Sequence, residues 1–217
     1  MRIAIAGAGS VGRSIAAELV DNGHQVMLID RSADAITPEL IDAAEWVQAD
    51  ACELASLEEA GLHTCDVVIA CTGDDKVNLV LALLAKTEFA VSRVVGRVND
   101  PRNEWLFNES WGVDVAVSTP RILAALVEAA VTVGDLVRLF TLRQGQANLV
   151  EVTLPSGAAI SGSPVRDLRL PPDAALVTIL RGGRVIVPQA DEPLEAGDEL
   201  LLVATPEVED EVRRALS

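Results

Sequence analysis

The sequence has no tyrosine, and phenylalanine and tryptophan contribute only three residues each. Any core must therefore be built from Ala, Val, Leu and Ile, and with half of the residues apolar there is enough material for a sizeable one. Lysine is nearly missing as well: Lys76 and Lys86 are the only two among 17 basic residues. Against 33 acidic residues this leaves a net charge of −16. Such a surface repels a phosphate backbone, which excludes a general nucleic-acid binder. Long hydrophobic runs are absent too. No stretch of about 18 residues lacks a charge, so nothing here is expected to span a bilayer. The amino terminus enters a strand-like segment without the basic-then-apolar form of a leader. Cysteine is scarce, with Cys52, Cys65 and Cys71 in odd number and without C-x-x-C spacing, as in a reduced, cytoplasmic protein. No His/Cys/Asp cluster has ligand spacing, so no metal site is expected.

What is present is a regular alternation. Arg2–Ala6, Gln25–Asp30, Trp46–Gln48, Asp66–Cys71, Arg93–Val98 and Asp114–Val117 read as strands. Helical patterns lie between them at Ser10–Asn22, Ala33–Ala44 (with Pro38 blurring its bounds), Glu53–Ala60, Asp74–Glu88 and Arg102–Ser110. Strands apolar on both faces belong to a parallel sheet covered by helices on each side. This predicts an α/β fold with a Rossmann-type, doubly wound parallel sheet over residues 1–134. After Gly134 the pattern changes. Leu136–Leu142, Leu149–Thr153, Ala175–Leu180, Arg184–Ile186 and Glu199–Val203 are strand-like, with a helical stretch at Pro206–Leu216. Residues 135–217 are thus expected to form a small α+β, mostly β, carboxy-terminal domain.

Gly7-Ala8-Gly9-Ser10-Val11-Gly12 follows a strand and opens a helix, the context in which G-x-G-x-x-G carries chemistry. Gly7 permits the tight turn, Gly9 lets a pyrophosphate approach the backbone, and Gly12 lets helix and strand pack closely. The helix amino terminus supplies unpaired N–H groups and partial positive charge. Asp30 ends the second strand, where a carboxylate accepts from ribose hydroxyls and disfavours a 2′-phosphate; Arg31 flanks it. Asp50-Ala51, Thr72-Gly73 and Arg97 end the third, fourth and fifth strands and face the same crevice. Asp50 is placed for an adenine amino group, Thr72-Gly73 for the ribose and pyrophosphate. Arg97, in an otherwise apolar strand, needs an anion: a ligand phosphate or an internal acid such as Asp74 or Asp100. Asp74 and Asp75 read as N-caps.

The segments IAIAGAGSVGRSIAAELVDNGHQVMLID, QADAC, CTGDDKVNLVLALLAK, VVGRVNDPRNEWLF and GVDVAVSTP, in that order, resemble the regulatory potassium-conductance (RCK) domain. The segment from Ser163 to Thr205 resembles its partner domain, called RCK-C or TrkA-C. The resemblance, to TrkA-type subunits, covers nearly the whole chain. It implies a cytosolic, nucleotide-binding regulatory component of a bacterial potassium uptake system, peripheral to the inner face of the membrane. It also implies binding of NAD(H), or of ADP or ATP, and assembly as a homo-oligomer, a dimer or tetrameric ring, on a membrane potassium-translocating subunit. On this likeness Gly7, Ala8, Gly9, Ser10 and Val11 form the phosphate loop, Asp30 holds the ribose, and Asp50, Ala51, Thr72, Gly73 and Arg97 line the remainder. Some ATP-gated relatives carry an Arg where Ser10 stands and an acid where Arg121 stands, so NAD(H) or a shorter nucleotide is the better expectation.

Two rivals remain at this level. An NAD-dependent oxidoreductase needs an acid/base near the nicotinamide; with no Tyr, and with His24 and His63 in connectors, no catalytic residue is assigned. A stand-alone soluble nucleotide sensor is the other. Cys71 reads as a small buried hydrophobe, and Trp105 and Phe107 as packing residues. Ile122, Leu123, Leu126, Val127, Ala130 and Val131 make a broad apolar stripe after Pro120, more than one sheet face requires, which points to an oligomer.

Overall fold

The structure, a computed structural model, describes residues 1–131, 133–142 and 146–216; Ser217 and the side chain of Ala130 lie outside the described residues. The chain forms two compact units, Met1–Pro120 and Arg121–Ser217. The domain boundary expected at Gly134–Asp135 lies beyond α4 (Thr119–Val131), the helix that starts where the first unit ends.

The first unit contains a six-stranded sheet, β1 (Arg2–Ala6), β2 (Gln25–Asp30), β3 (Glu45–Gln48), β4 (Val67–Ala70), β5 (Arg93–Val98) and β6 (Val115–Ser118), in the order β3-β2-β1-β4-β5-β6. Every pairing is parallel. Alternation sends side chains to two faces, and each face has its own core. Ile3, Ile5, Val26 and Leu28 pack with Val11, Ile15, Ala16 and Leu19 of α1 (Ser10–Asp21). Ala4, Ala6, Met27, Ile29, Val68 and Val94 pack with Leu57 of α2 (Leu54–Glu59) and with Leu79, Leu81, Ala82 and Ala85 of α3 (Asp75–Thr87). The doubly wound reading holds.

Three local expectations are corrected. The helix expected over Ala33–Ala44 is two 3₁₀ turns, Ala33–Ala35 and Pro38–Leu40. Pro38 holds Thr37 out of helical geometry, and the segment buries no side chain fully, so nothing rewards a continuous helix. The helix expected over Arg102–Ser110 is likewise 3₁₀, split at Phe107 and Asn108 into Pro101–Leu106 and Glu109–Trp111. Phe107 turns inward against Gly96, where an added Cβ would lie 2.8 Å from its ring, and this inward turn interrupts the helix. Trp105 does not pack: it is 74% exposed.

The second unit carries a five-stranded antiparallel sheet, β7 (Val137–Leu142), β8 (Ala147–Thr153), β9 (Ala174–Arg181), β10 (Arg184–Ile186) and β11 (Glu199–Ala204), ordered β10-β9-β11-β8-β7. One face buries Val150, Val152, Ile179, Leu200 and Leu202 against Val212 and Leu216 of α5 (Glu209–Leu216). Glu209 anchors that helix, accepting from Arg138 Nη2 at 2.6 Å and from Asn148 Nδ2 at 2.5 Å. The β9–β10 turn at Gly182-Gly183 is tied down by Arg181, which bonds the fully buried Asp198 carboxylate at 2.7 and 2.9 Å. Burial pushes the Asp198 carboxyl up, but the Arg181 guanidinium and the Glu195 N–H outweigh it and hold the group below the usual carboxylate range.

Candidate functional site

In an open parallel sheet the crevice outside the carboxyl ends opens where strand order reverses, here between β1 and β4. Gly7 leaves β1 with φ +105°, and an added Cβ would sit 2.7 Å from the Cys71 carbonyl oxygen beyond β4. A Cβ on Gly12 would approach the Gly7 carbonyl oxygen to 1.8 Å. Both glycines are therefore required by close backbone approach. At Gly9 nothing lies within 4 Å of such a Cβ, and Gly9 caps α1 without any side-chain bond to its first amides. The loop thus offers open space above a helix start whose first N–H groups have no side-chain partner among the described residues.

Asp30 does more than end β2. Its Oδ2 accepts from the Ala8 N–H at 2.9 Å and its Oδ1 from the Ser32 N–H at 2.9 Å. The carboxylate braces the glycine loop from the neighbouring strand, while Arg13 Nη1 donates to the Ala8 carbonyl at 2.8 Å from α1. Ser10 is exposed, with its carbonyl accepting from the Ser14 hydroxyl, and Val11 packs into the core beneath the loop.

The other expected residues fall into two groups. Thr72 lies against Gly7, with its Cα 2.9 Å from the position of an added Cβ there, and Gly73 beside it borders open space. Arg97 comes up beside Cys71, whose thiol is pushed up by burial against the opposing pull and hydrogen bond of that guanidinium. Among the described residues no carboxylate pairs with Arg97, and its Nε is buried without a partner. Asp100 bonds Arg102 instead, at 2.6 Å. Towards β3, Asp50 accepts from the Cys52 N–H at 2.8 Å, Ala51 is buried, and the Arg31 carbonyl accepts from Gln48 Nε2 at 3.3 Å. Partial burial, then Asp50 and Asp74, push the Cys52 thiol up against Arg31. None of Asp50, Asp74 and Arg31 bonds the glycine loop among the described residues.

Asp74 caps α3, accepting from the Lys76 N–H at 2.8 Å. Asp75, expected as a second cap, is instead a buried acceptor for residues beyond β5, bonding the Asn99 and Asp100 N–H groups at 2.6 and 3.0 Å. Sequence reading also missed Asn78, which is fully buried and bonded to Thr72 and Arg97. Its signal was a polar residue on the inward face of α3, at helical spacing with Leu81, Ala82 and Ala85. His24 lines a depression of about 280 Å³ with Arg2, Gln25 and Glu45, at the opposite, amino-terminal end of the strands.

A glycine-rich turn braced by an acid from the adjacent strand, at the switch point of a parallel sheet, defines a Rossmann-type module, here followed by a separate β unit. Residues 3–119 match the family model of the TrkA-N domain, and residues 149–217 that of the TrkA-C domain. The chain belongs to the TrkA family. It is 66% identical over 216 residues to the Trk system potassium uptake protein TrkA of Mycobacterium tuberculosis, covering 100% of this chain and 98% of that one. Among solved structures, a GsuK channel bound to NAD shares the fold with a TM-score of 0.73 at 18% identity, covering 100% of this chain and 39% of the channel. The Kef carboxy-terminal domain of Shewanella denitrificans in its AMP-bound form matches with a TM-score of 0.53 at 20% identity, over 60% of this chain and 79% of that one. Among the described residues no helix is long and apolar enough to cross a membrane.

Proposed function

We propose that this chain is a cytoplasmic regulatory subunit of a potassium uptake system, which binds NAD(H) or an adenine nucleotide and passes that binding to a separate membrane subunit that translocates potassium. The observation that carries the reading is the braced glycine loop. Asp30 holds Ala8 while open space lies above Gly9 at the start of α1, in a chain two-thirds identical to a TrkA protein along its whole length. Asp30 takes the ribose, Gly7–Val11 the first phosphate, Thr72-Gly73 the sugar-phosphate edge, and Asp50-Ala51 with Arg31 the adenine side. Arg97 supplies a guanidinium that pairs with no carboxylate among the described residues for a further phosphate. No residue is assigned a catalytic role: the ligand acts by binding one arrangement of an assembly better than another, with coupling of about 1–3 kcal/mol.

The assembly is a homo-oligomer. Leu123, Leu126, Val127 and Val131 of α4 are each more than half exposed, an apolar face that a second copy covers in this reading.

The test is direct. Mass spectrometry of the purified protein identifies the retained small molecule, and potassium uptake is measured in cells lacking this chain but keeping the membrane subunit. NAD(H) or an adenine nucleotide, together with loss of regulated uptake, supports the proposal. Unchanged uptake and nucleotide response refutes the transport role, and nicotinamide-dependent turnover of a small substrate favours a dehydrogenase.

A further inference from the structure

Resting on the nucleotide-site reading above, we propose that Asn78, supported by Asp75 and Asn99, is a positioning residue that holds Arg97 in place and so sets how well the site distinguishes diphosphate from monophosphate nucleotides.

The main-chain ladder between β4 and β5 ends at the Ala70–Gly96 pair. Thr72 and Arg97 both lie beyond it: Arg97 pairs with Val117 of β6 but not with β4, and Asn78 is what joins it to Thr72. Its Oδ1 accepts from the Thr72 N–H at 2.9 Å and the Thr72 hydroxyl at 2.7 Å. Its Nδ2 donates to the Thr72 carbonyl at 3.2 Å and to the Arg97 carbonyl at 2.9 Å. That engages both donors and both lone pairs of a fully buried amide. A packing position of this kind is ordinarily apolar, and a polar group survives there when every bond is made.

Asp75 sits on the same face one turn earlier. Asn99 reaches its Oδ1 with both N–H and Nδ2, at 2.6 and 2.9 Å, while the Asp100 N–H and Asn103 Nδ2 reach its Oδ2 at 3.0 and 2.8 Å. Burial pushes this carboxyl up, yet the bonds from Asn103, Asn99 and Asp100 bring it below its ordinary value. Asn99 Nδ2 also donates to the Thr72 carbonyl at 3.0 Å. The first turns of α3 therefore bind the two strand ends to each other through amides.

The order of the strands says which phosphate is concerned. Asp30 ends β2, the glycine loop leaves β1, Thr72 follows β4, and Arg97 is on β5, in that spatial sequence. A nucleotide with its ribose at Asp30 places its first phosphate on the loop and its second towards Arg97. A monophosphate does not extend that far. Because bidentate guanidinium–phosphate bonding is directional, a shift of the Arg97 backbone penalises the second phosphate and spares the first.

Calorimetry with AMP and ADP on the full chain tests this, using Asn78→Asp, which keeps the shape and removes both Nδ2 donors, and Arg97→Ala. The expected result is a loss of roughly tenfold in ADP affinity, with AMP affinity changed less than about threefold. Combining Asn78→Asp with Arg97→Ala should cost no more than Arg97→Ala alone, a non-additivity that a merely structural role would not produce. Should Asn78→Asp fail to fold, Asn99→Ala, which leaves the Asn99 N–H bond to Asp75 intact, is read by the same criteria. Equal losses for AMP and ADP, or multiplying losses in the double variant, overturn the inference while leaving the site reading standing. Wild-type protein that binds none of AMP, ADP and NAD(H) overturns the site reading itself, and one that binds NAD(H) alone overturns the inference.

Discussion

Asp30 has one role in the structure and a second in the proposed complex, and a pair of substitutions separates them. In the free protein its carboxylate accepts from the Ala8 and Ser32 N–H groups, both at 2.9 Å. Ala8 is fully buried, so Asp30→Ala leaves its N–H without a partner, at a cost of about 1–3 kcal/mol. Asp30→Asn keeps one oxygen, enough to hold Ala8, and loses the second acceptor and the negative charge. In the proposed complex the carboxylate also accepts from ribose hydroxyls, bonds worth about 1.5–3 kcal/mol, or roughly ten- to hundredfold in affinity. Asp30→Asn should therefore unfold near the wild-type temperature and bind nucleotide at least tenfold more weakly. Asp30→Ala should lose both stability and affinity. Differential scanning fluorimetry gives the first quantity and isothermal calorimetry the second. Unchanged affinity in Asp30→Asn would refute the ribose assignment, and unchanged stability in Asp30→Ala would refute the brace.

Gly12→Ala should cost about 1–3 kcal/mol or more, since its Cβ would lie 1.8 Å from the Gly7 carbonyl oxygen; chemical denaturation checks it. Leu126→Glu on α4 should reduce the oligomer to a smaller species by light scattering, and a wild-type monomer at micromolar concentration would reject the oligomer outright. Asp198→Asn should destabilise the second unit by about 3 kcal/mol, the lower end for breaking a buried pair, because Arg181 retains Glu192 and Glu195. The Asp198 carboxyl is depressed in the fold, so its contribution is in place above the unfolded value of about 3.9 and disappears as pH falls through the lower folded value. An acid titration of thermal stability should accordingly be shallower below about pH 4 in the variant than in the wild type.

How far the site was legible depended on whether its determinants are local. Gly7, Gly9, Gly12 and Asp30 announce themselves because a tight strand–loop–helix turn restricts residue type at fixed offsets. Asp74 was readable for the same reason, as a cap immediately before a helix. Asn78 and Asp75 were not, because their partners at Arg97, Asn99 and Asn103 belong to another element. Arg97 marks the limit most clearly. An arginine among valines signals an anion, but whether that anion was Asp74, Asp100 or a ligand depended on where α3 and the loop after β5 came to rest.

The sequence alone determined the succession of strands, the parallel class of the first sheet, the β character of the second unit and the glycine loop with its acid. Period-two and helical apolar patterns and turn residues act within a few neighbours, and they survive without knowledge of the fold. Only the tertiary structure decided that both connections, after β2 and after β5, are 3₁₀, that Trp105 faces out while Phe107 fills the space above Gly96, and that Asp30 holds the loop as well as facing the crevice. Each of these rests on which surfaces meet across the sheet, and helix formation is too weak over short segments to proceed without such packing.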